Sequence, residues 1–117
     1  MKTIWKYPIA MTDVQNVTMP VGAEILSVQP QGGELQLWAI VDPEAAPEFR
    51  VIECVGTGHW MHDVGGDGNI RKHIDTVQLC GGSLVLHIFE VTPIKASGIR
   101  YGTPSPMAVR VIDGGAE

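Results

Sequence analysis

The stretch IDTVQLCGGSLVLHIFEV, residues 74–91, decides how this chain is read. Two short runs, Ile74 to Leu79 and Ser83 to Val91, meet at Cys80-Gly81-Gly82, where glycine supplies the positive φ that a tight reversal demands. In the second run Leu84, Leu86 and Ile88 fall on one face and Val85, His87, Phe89 and Val91 on the other. A strand apolar on both faces belongs in the middle of a sheet or between two layers.

The same texture extends towards the N-terminus. Thr3 to Ile9 is β-branched and aromatic, Val14 to Met19 stops at Pro20, and Glu24 to Gln29 is closed by Pro30 and Gly32-Gly33. Leu35 to Val41 alternates and ends at Pro43, so PQGGE (residues 30–34) reads as a hairpin turn between the two runs. Phe49 to Val55 is a further strand, and DPEAAPE (residues 42–48) before it is the one plausible helical turn in this half. Fourteen glycines and eight prolines leave few windows long enough for a helical period. Seven short strands spaced by about ten residues predict a mostly β fold, a small antiparallel sandwich or barrel.

Beyond Thr92 the composition changes. TPIKASGIRYGTPSP (residues 92–106) is rich in Pro, Gly and Ser and reads as a loop or arm, Ala108 to Ile112 suits one last strand, and GGAE is a frayed end. The expected organisation is a β domain over 1–92 and a Pro/Gly-rich C-terminal extension over 93–117.

Size and charge narrow the function. A chain of 117 residues makes one domain and buries roughly two-thirds of its unfolded surface, enough for a core without metals or disulfides. The net charge of −5 argues against wrapping duplex nucleic acid, which normally takes a basic footprint. No run approaches the roughly 20 apolar residues of a membrane span, and the N-terminus has no signal-peptide pattern, so the expected location is the cytoplasm. Cys54 and Cys80 lie in apolar runs outside any CxxC pair and read as buried core thiols; whether they pair is open.

The motifs KTIWKYPI, MPVGAEILSVQ, LWAIVDP, GTGH and LVLHIFEV occur in this order over Met1 to Thr92. Together they resemble a family of short bacteriophage and prophage proteins of unknown function. The resemblance implies a small β protein made in the cytoplasm of an infected host cell. It brings no catalytic residues, and it does not cover the tail from Pro93.

The most chemically loaded segment is GTGHWMHD, residues 56–63. His59, His62 and Asp63 are metal-capable ligand types, but His73 and His87 complete no familiar spacing, and the simpler reading is a glycine-rich loop with exposed histidines. Gly56-Thr57-Gly58 lacks the lysine of a phosphate loop, and a turn that needs glycine explains it. Arg71-Lys72-His73 forms a short basic step in an acidic chain, and Arg100-Tyr101 adds a cation and a ring in the tail. Against a solvated-surface reading of these charges stands the pairing of cations with aromatic rings, which recognises nucleotides by charge and stacking. Trp5 and Trp38 lie in strands and read as core, whereas Trp60 lies in a polar loop, where binding residues concentrate.

Ser83 lacks a nucleophile elbow, and the scattered carboxylates define no catalytic pair. No catalytic residue, metal ligand or cofactor is assigned. The expectation is a non-enzymatic, phage-encoded binding protein that forms a homo-oligomer, its specific form a counter-defence sponge for a nucleotide immune signal. His59, Trp60, His62, Arg71, Lys72, Arg100 and Tyr101 are its ligand-binding candidates. A protein–protein or virion accessory module is the alternative from another class, and a metal-dependent hydrolase using His59, His62 and Asp63 is a third.

Overall fold

A computed structural model describes residues 1–61 and 69–92, together with the backbone of 110–113 and 115–116. Seven strands run through Thr92: β1 (Thr3–Ile9), β2 (Val14–Pro20), β3 (Glu24–Gln31), β4 (Glu34–Val41), β5 (Pro47–Gly56), β6 (Ile70–Leu79) and β7 (Leu84–Thr92). Two short ones follow, β8 (Arg110–Asp113) and β9 (Gly115–Ala116). The chain is thus mostly β, in two sheets ordered β3-β4-β1-β9 and β6-β7-β5-β2-β8. Every pairing among β1 to β7 is antiparallel, while β8 joins β2 in parallel. The tail therefore contributes a strand to each sheet.

Alternation assigns the faces. Tyr7, Val28, Leu37 and Val41 of the first sheet meet Val17, Met19, Ile52, Val77 and Ile88 of the second in one buried cluster. Ile52 pairs with Gln15 and Glu90, and Ile88 with Cys54, so these residues share the inner face of the five-stranded sheet. Val51, Glu53, His87, Phe89 and Val91 fall on its outer face. β7 lies between β6 and β5, the interior position its two apolar faces predict.

At one side of the sandwich the edge strands β3 and β6 face each other across the layers. Asp75 on β6 accepts hydrogen bonds from the backbone N–H of Val28 (3.2 Å) and from Nε2 of Gln29 (3.0 Å) on β3. A carboxylate that occupies an edge donor also blunts that edge as a template for strand addition. At the rim, Arg50 of β5 donates from Nε and Nη2 to Glu90, and from Nη1 to the carbonyl of Ala23 (2.8 Å) just before β3. Burial opposes the Arg50 charge, but the hydrogen bond and charge of Glu90, with Glu48 nearby, outweigh it and hold the guanidinium above its ordinary range.

Several local expectations are corrected. Residues 42–46 form a hydrogen-bonded turn rather than a helical one, with Ala45 N–H donating to the Asp42 carbonyl, because prolines 43 and 47 bracket a segment too short to propagate a helix. β6 begins at Ile70, four residues before the expected Ile74, so the basic step is strand and not loop. Cys54 is buried and free, but Cys80 is exposed: it sits at the hairpin tip with φ +53, next to Gly81 at +69 and Gly82 at +94. That left-handed tip carries the thiol away from both layers, and an apolar sequence context did not reveal it. Trp5 is half-buried and packs on the core cluster, whereas Trp38 is half-buried without joining it.

Candidate functional site

The turn after β5 is built around glycine. His59 N–H donates to the Gly56 carbonyl (3.0 Å), and Gly58 takes φ +86, a conformation that suits glycine. A Cβ on Gly56 would stand 3.2 Å from Nδ1 of His59, so a bare backbone lets the imidazole lie over the turn. Trp60 comes next and is 94% exposed, with Met61 beside it at 47%. A large ring left almost wholly in water gives up the area burial that aromatic side chains usually provide.

Beside this turn a chain of polar side chains crosses the outer face. Thr57 Oγ1 lies 2.7 Å from His87 Nε2, His87 Nδ1 lies 3.1 Å from Thr76 Oγ1, and that hydroxyl lies 2.9 Å from His73 Nε2. The His73 ring meets Phe89 edge-on, with centroids 5.5 Å apart. A register shift between His73 and Asp75 makes the chain possible. Residues three apart on a regular strand point to opposite faces; one extra residue at Ile74 returns His73 and Thr76 to the same face.

Both hydrogen-bond polarities satisfy the chain. In one, His73 Nε2–H donates to Thr76, Thr76 to His87 Nδ1, and His87 Nε2–H to Thr57, leaving the Thr57 O–H as a donor at the turn. In the other, Thr57 donates to His87 Nε2 and offers its oxygen lone pairs. The exposed end at Thr57 presents a donor or an acceptor according to the histidine tautomers.

The basic step divides between the two faces. Arg71 lies on the outer face and donates from Nε (2.6 Å) and Nη2 (3.3 Å) to Glu53, which is fully buried. Lys72 points to the inner side, where it is exposed at the rim. His59 and Trp60 stand together at the turn, while Arg71 and Lys72 do not converge on one ligand position. His62, Arg100 and Tyr101 lie outside the described residues, as does Asp63. Among the described residues no group of three or more His, Cys, Asp or Glu is placed to hold a metal ion.

Thr57, Thr76, His73 and His87 escaped the motif search because their relation is across strands. Counting back from the Cys80–Gly82 reversal sets Leu79 against Leu84 and hence Thr76 against His87, so that pair was legible from the hairpin alone. His73 was not, since its place depends on the bulge.

A family model described as a domain of unknown function, DUF7352, matches residues 1–98. The chain belongs to this family. No curated protein and no solved structure matches it. The DUF7352 region holds the Gly56 turn, the threonine–histidine chain and both members of the basic step. Arg100 and Tyr101 fall beyond it.

Proposed function

We propose that this DUF7352 protein is a non-enzymatic binding protein whose recognition surface is the Gly56–Trp60 turn and the adjoining threonine–histidine chain. The observation that carries the reading is Trp60, a ring 94% exposed three residues from the hydrogen-bonded Thr57. An exposed indole stacks on planar rings, and a hydroxyl that switches between donor and acceptor suits the polar edge of a base or ribose. His59 lies between them. The ligand class is a nucleotide-derived small molecule, and since one ring offers one wall, a second copy of the chain supplies the other.

In its specific form the protein is phage-encoded and acts in the host cytoplasm as a sponge for a nucleotide immune signal. The support for phage origin is the resemblance carried by KTIWKYPI, LWAIVDP, GTGH and LVLHIFEV. Sequestration asks for tight binding and no chemistry.

Native mass spectrometry of the full chain, before and after incubation with cyclic and ADP-ribose-derived nucleotides, tests this. The expected result is a discrete nucleotide adduct on an oligomer, lost in Trp60→Ala with the fold intact. A monomer that takes up no nucleotide, with no heat on titration, overturns it. The second reading, a protein partner, is favoured by Met61 beside Trp60, since an exposed aromatic with an apolar neighbour is also hot-spot chemistry. Stoichiometric capture of one protein from infected cells, dependent on Trp60, distinguishes that outcome.

A further inference from the structure

An added proton takes away the choice of polarity in the threonine–histidine chain. If His87 carries it, both ring nitrogens donate, to Thr57 Oγ1 at 2.7 Å and to Thr76 Oγ1 at 3.1 Å, and the Thr76 hydroxyl donates on to His73 Nε2 at 2.9 Å. If His73 carries it, Nε2–H donates to Thr76, Thr76 to His87 Nδ1, and His87 Nε2–H to Thr57. The reverse polarity needs a bare Nε2 on both rings, and a cation has none to spare. With the proton on either ring, Thr57 therefore accepts from His87 and turns its own O–H outward as a donor. All three contacts survive, so the chain takes one proton without orphaning a polar group.

The turn offers a second donor beside that hydroxyl. His59 N–H closes the four-residue turn from Gly56, and Gly58 stands third in it at φ +86, the place that a type II turn reserves for glycine. Its own N–H takes no part in the closing bond and donates to none of the described residues. A Cβ added at Gly58 would meet nothing within 4 Å, and both Thr57 and Gly58 are exposed, so the approach is open. A hydroxyl and an amide on adjacent residues, next to a cationic imidazole, make the donor set of a phosphate site. The charge that a lysine brings to a phosphate loop comes here from a histidine on β7. Among the described residues, the other ionisable groups around His87 are few. Strand β6 brings His73, the turn brings His59, and β5 brings Glu53, two residues beyond Val55 and already engaged by Arg71.

We infer that the Thr57–Gly58 end of the site takes a phosphate group, and that binding it draws a proton onto the His73–His87 pair. This rests on the nucleotide reading of the surface and adds which part of the ligand meets the turn. An anion stabilises the protonated chain and finds only neutral dipoles in the unprotonated one. Affinity accordingly falls as pH rises through the range in which histidine side chains lose their charge. A nucleoside without phosphate gains nothing from the proton.

The test is calorimetry of the full chain with 3′,5′-cyclic AMP and ADP-ribose, whose phosphate charges are fixed between pH 6 and 8, and with adenosine as the control without phosphate. Each titration is run in two buffers of different ionisation enthalpy, which counts the protons taken up. For a ten-fold preference for the protonated chain, the expected result is uptake of about half a proton per ligand at its maximum and binding about five-fold weaker at pH 8 than at pH 6. The double variant His73→Gln/His87→Gln keeps a donor and an acceptor at each position but holds no proton, and should bind without uptake or pH dependence. His59→Asn should retain both. In the unliganded protein the Thr57 and Gly58 resonances should follow the titration of the two imidazoles, a readout that needs no ligand. Nucleotide binding without proton uptake, uptake that survives the double variant or is lost with His59, equal binding of adenosine, or resonances that ignore the titration would each overturn this inference and leave the nucleotide reading standing. Absence of binding by both nucleotides at every pH overturns the two together.

Discussion

Replacing Arg71 by alanine should destabilise the fold far more than an ordinary surface substitution. Its partner Glu53 is 0% exposed and takes the Arg71 Nε and Nη2 hydrogens at 2.6 and 3.3 Å. Removing the guanidinium leaves a carboxylate that water does not reach, a lesion that costs about 3–5 kcal/mol. For a chain of this length total stability is of order 6–18 kcal/mol, and the loss corresponds to a Tm lowered by roughly 12–20 °C. The converse change is milder. Arg71 is 25% exposed at its side chain, so in Glu53→Gln the guanidinium still reaches solvent and keeps an amide oxygen to bond, at about 1–2 kcal/mol. Replacing both by apolar residues removes charge and partner together and should cost less than Arg71→Ala alone. Urea unfolding of the two single variants and the double variant measures all three at constant m-value. If Arg71→Ala lies within about 1 kcal/mol of the parent, or Glu53→Gln is the worse of the two, the reasoning from asymmetric burial is wrong.

Four further outcomes follow from the same geometry. Burial, with the charges of Asp13 and Glu53 adding to it, pushes the Cys54 thiol up to about 11, so at pH 8 a thiol reagent should modify one cysteine, Cys80, in the native protein and both in denaturant. Because that thiol ionises near 9 in the unfolded chain and near 11 in the folded one, its contribution is intact below pH 9 and lost as pH rises to 11; equilibrium unfolding across this window should show falling stability, by up to about 2 kcal/mol. Asp75→Ala orphans the buried Val28 N–H and should cost about 1–3 kcal/mol, with increased self-association by light scattering as the β3 edge loses its blocker. Tyr7→Phe removes a buried hydroxyl that has no hydrogen-bond partner among the described residues, so thermal unfolding should show it neutral or more stable by up to about 1 kcal/mol.

Much of the fold was legible because its decisive features are local. β-Branched and aromatic content places β1 on its observed residues, period-two alternation places β4 within one residue of them, and the doubly apolar Ser83 to Val91 run locates the interior strand β7. The start of β6 was missed because Arg71-Lys72-His73 reads as a solvated step, whereas its alternation is completed across strands: Arg71 turns to Glu53, two strands away, and Lys72 to the rim. Trp60 was legible as exposed because its loop holds no apolar periodicity. Within the polar chain the Thr76–His87 pair follows from the hairpin, but the place of His73 depends on the bulge at Ile74 and that of Thr57 on the pairing of β5 with β7. No local pattern encodes those two relations.

The bulge at Ile74 lets His73 share a face with Thr76. If Ile74 took a regular place in the ladder, His73 would turn to the inner side, leave Thr76 unpartnered on its β6 flank and break the polar chain that reaches Thr57. Asp75 does not depend on the bulge: counted back from the Cys80–Gly82 reversal it stands opposite Ile88, where it meets Val28 on β3. Deleting Ile74 therefore sets His73 two places from Thr76 on a regular strand, still on the outer face, and the His73–Thr76 contact should persist with the Asp75 tie. Loss of that contact in the deletion variant, read from the chemical shifts of His73 and Thr76, would refute Ile74 as the extra residue, because removing the one residue that breaks the alternation must restore it.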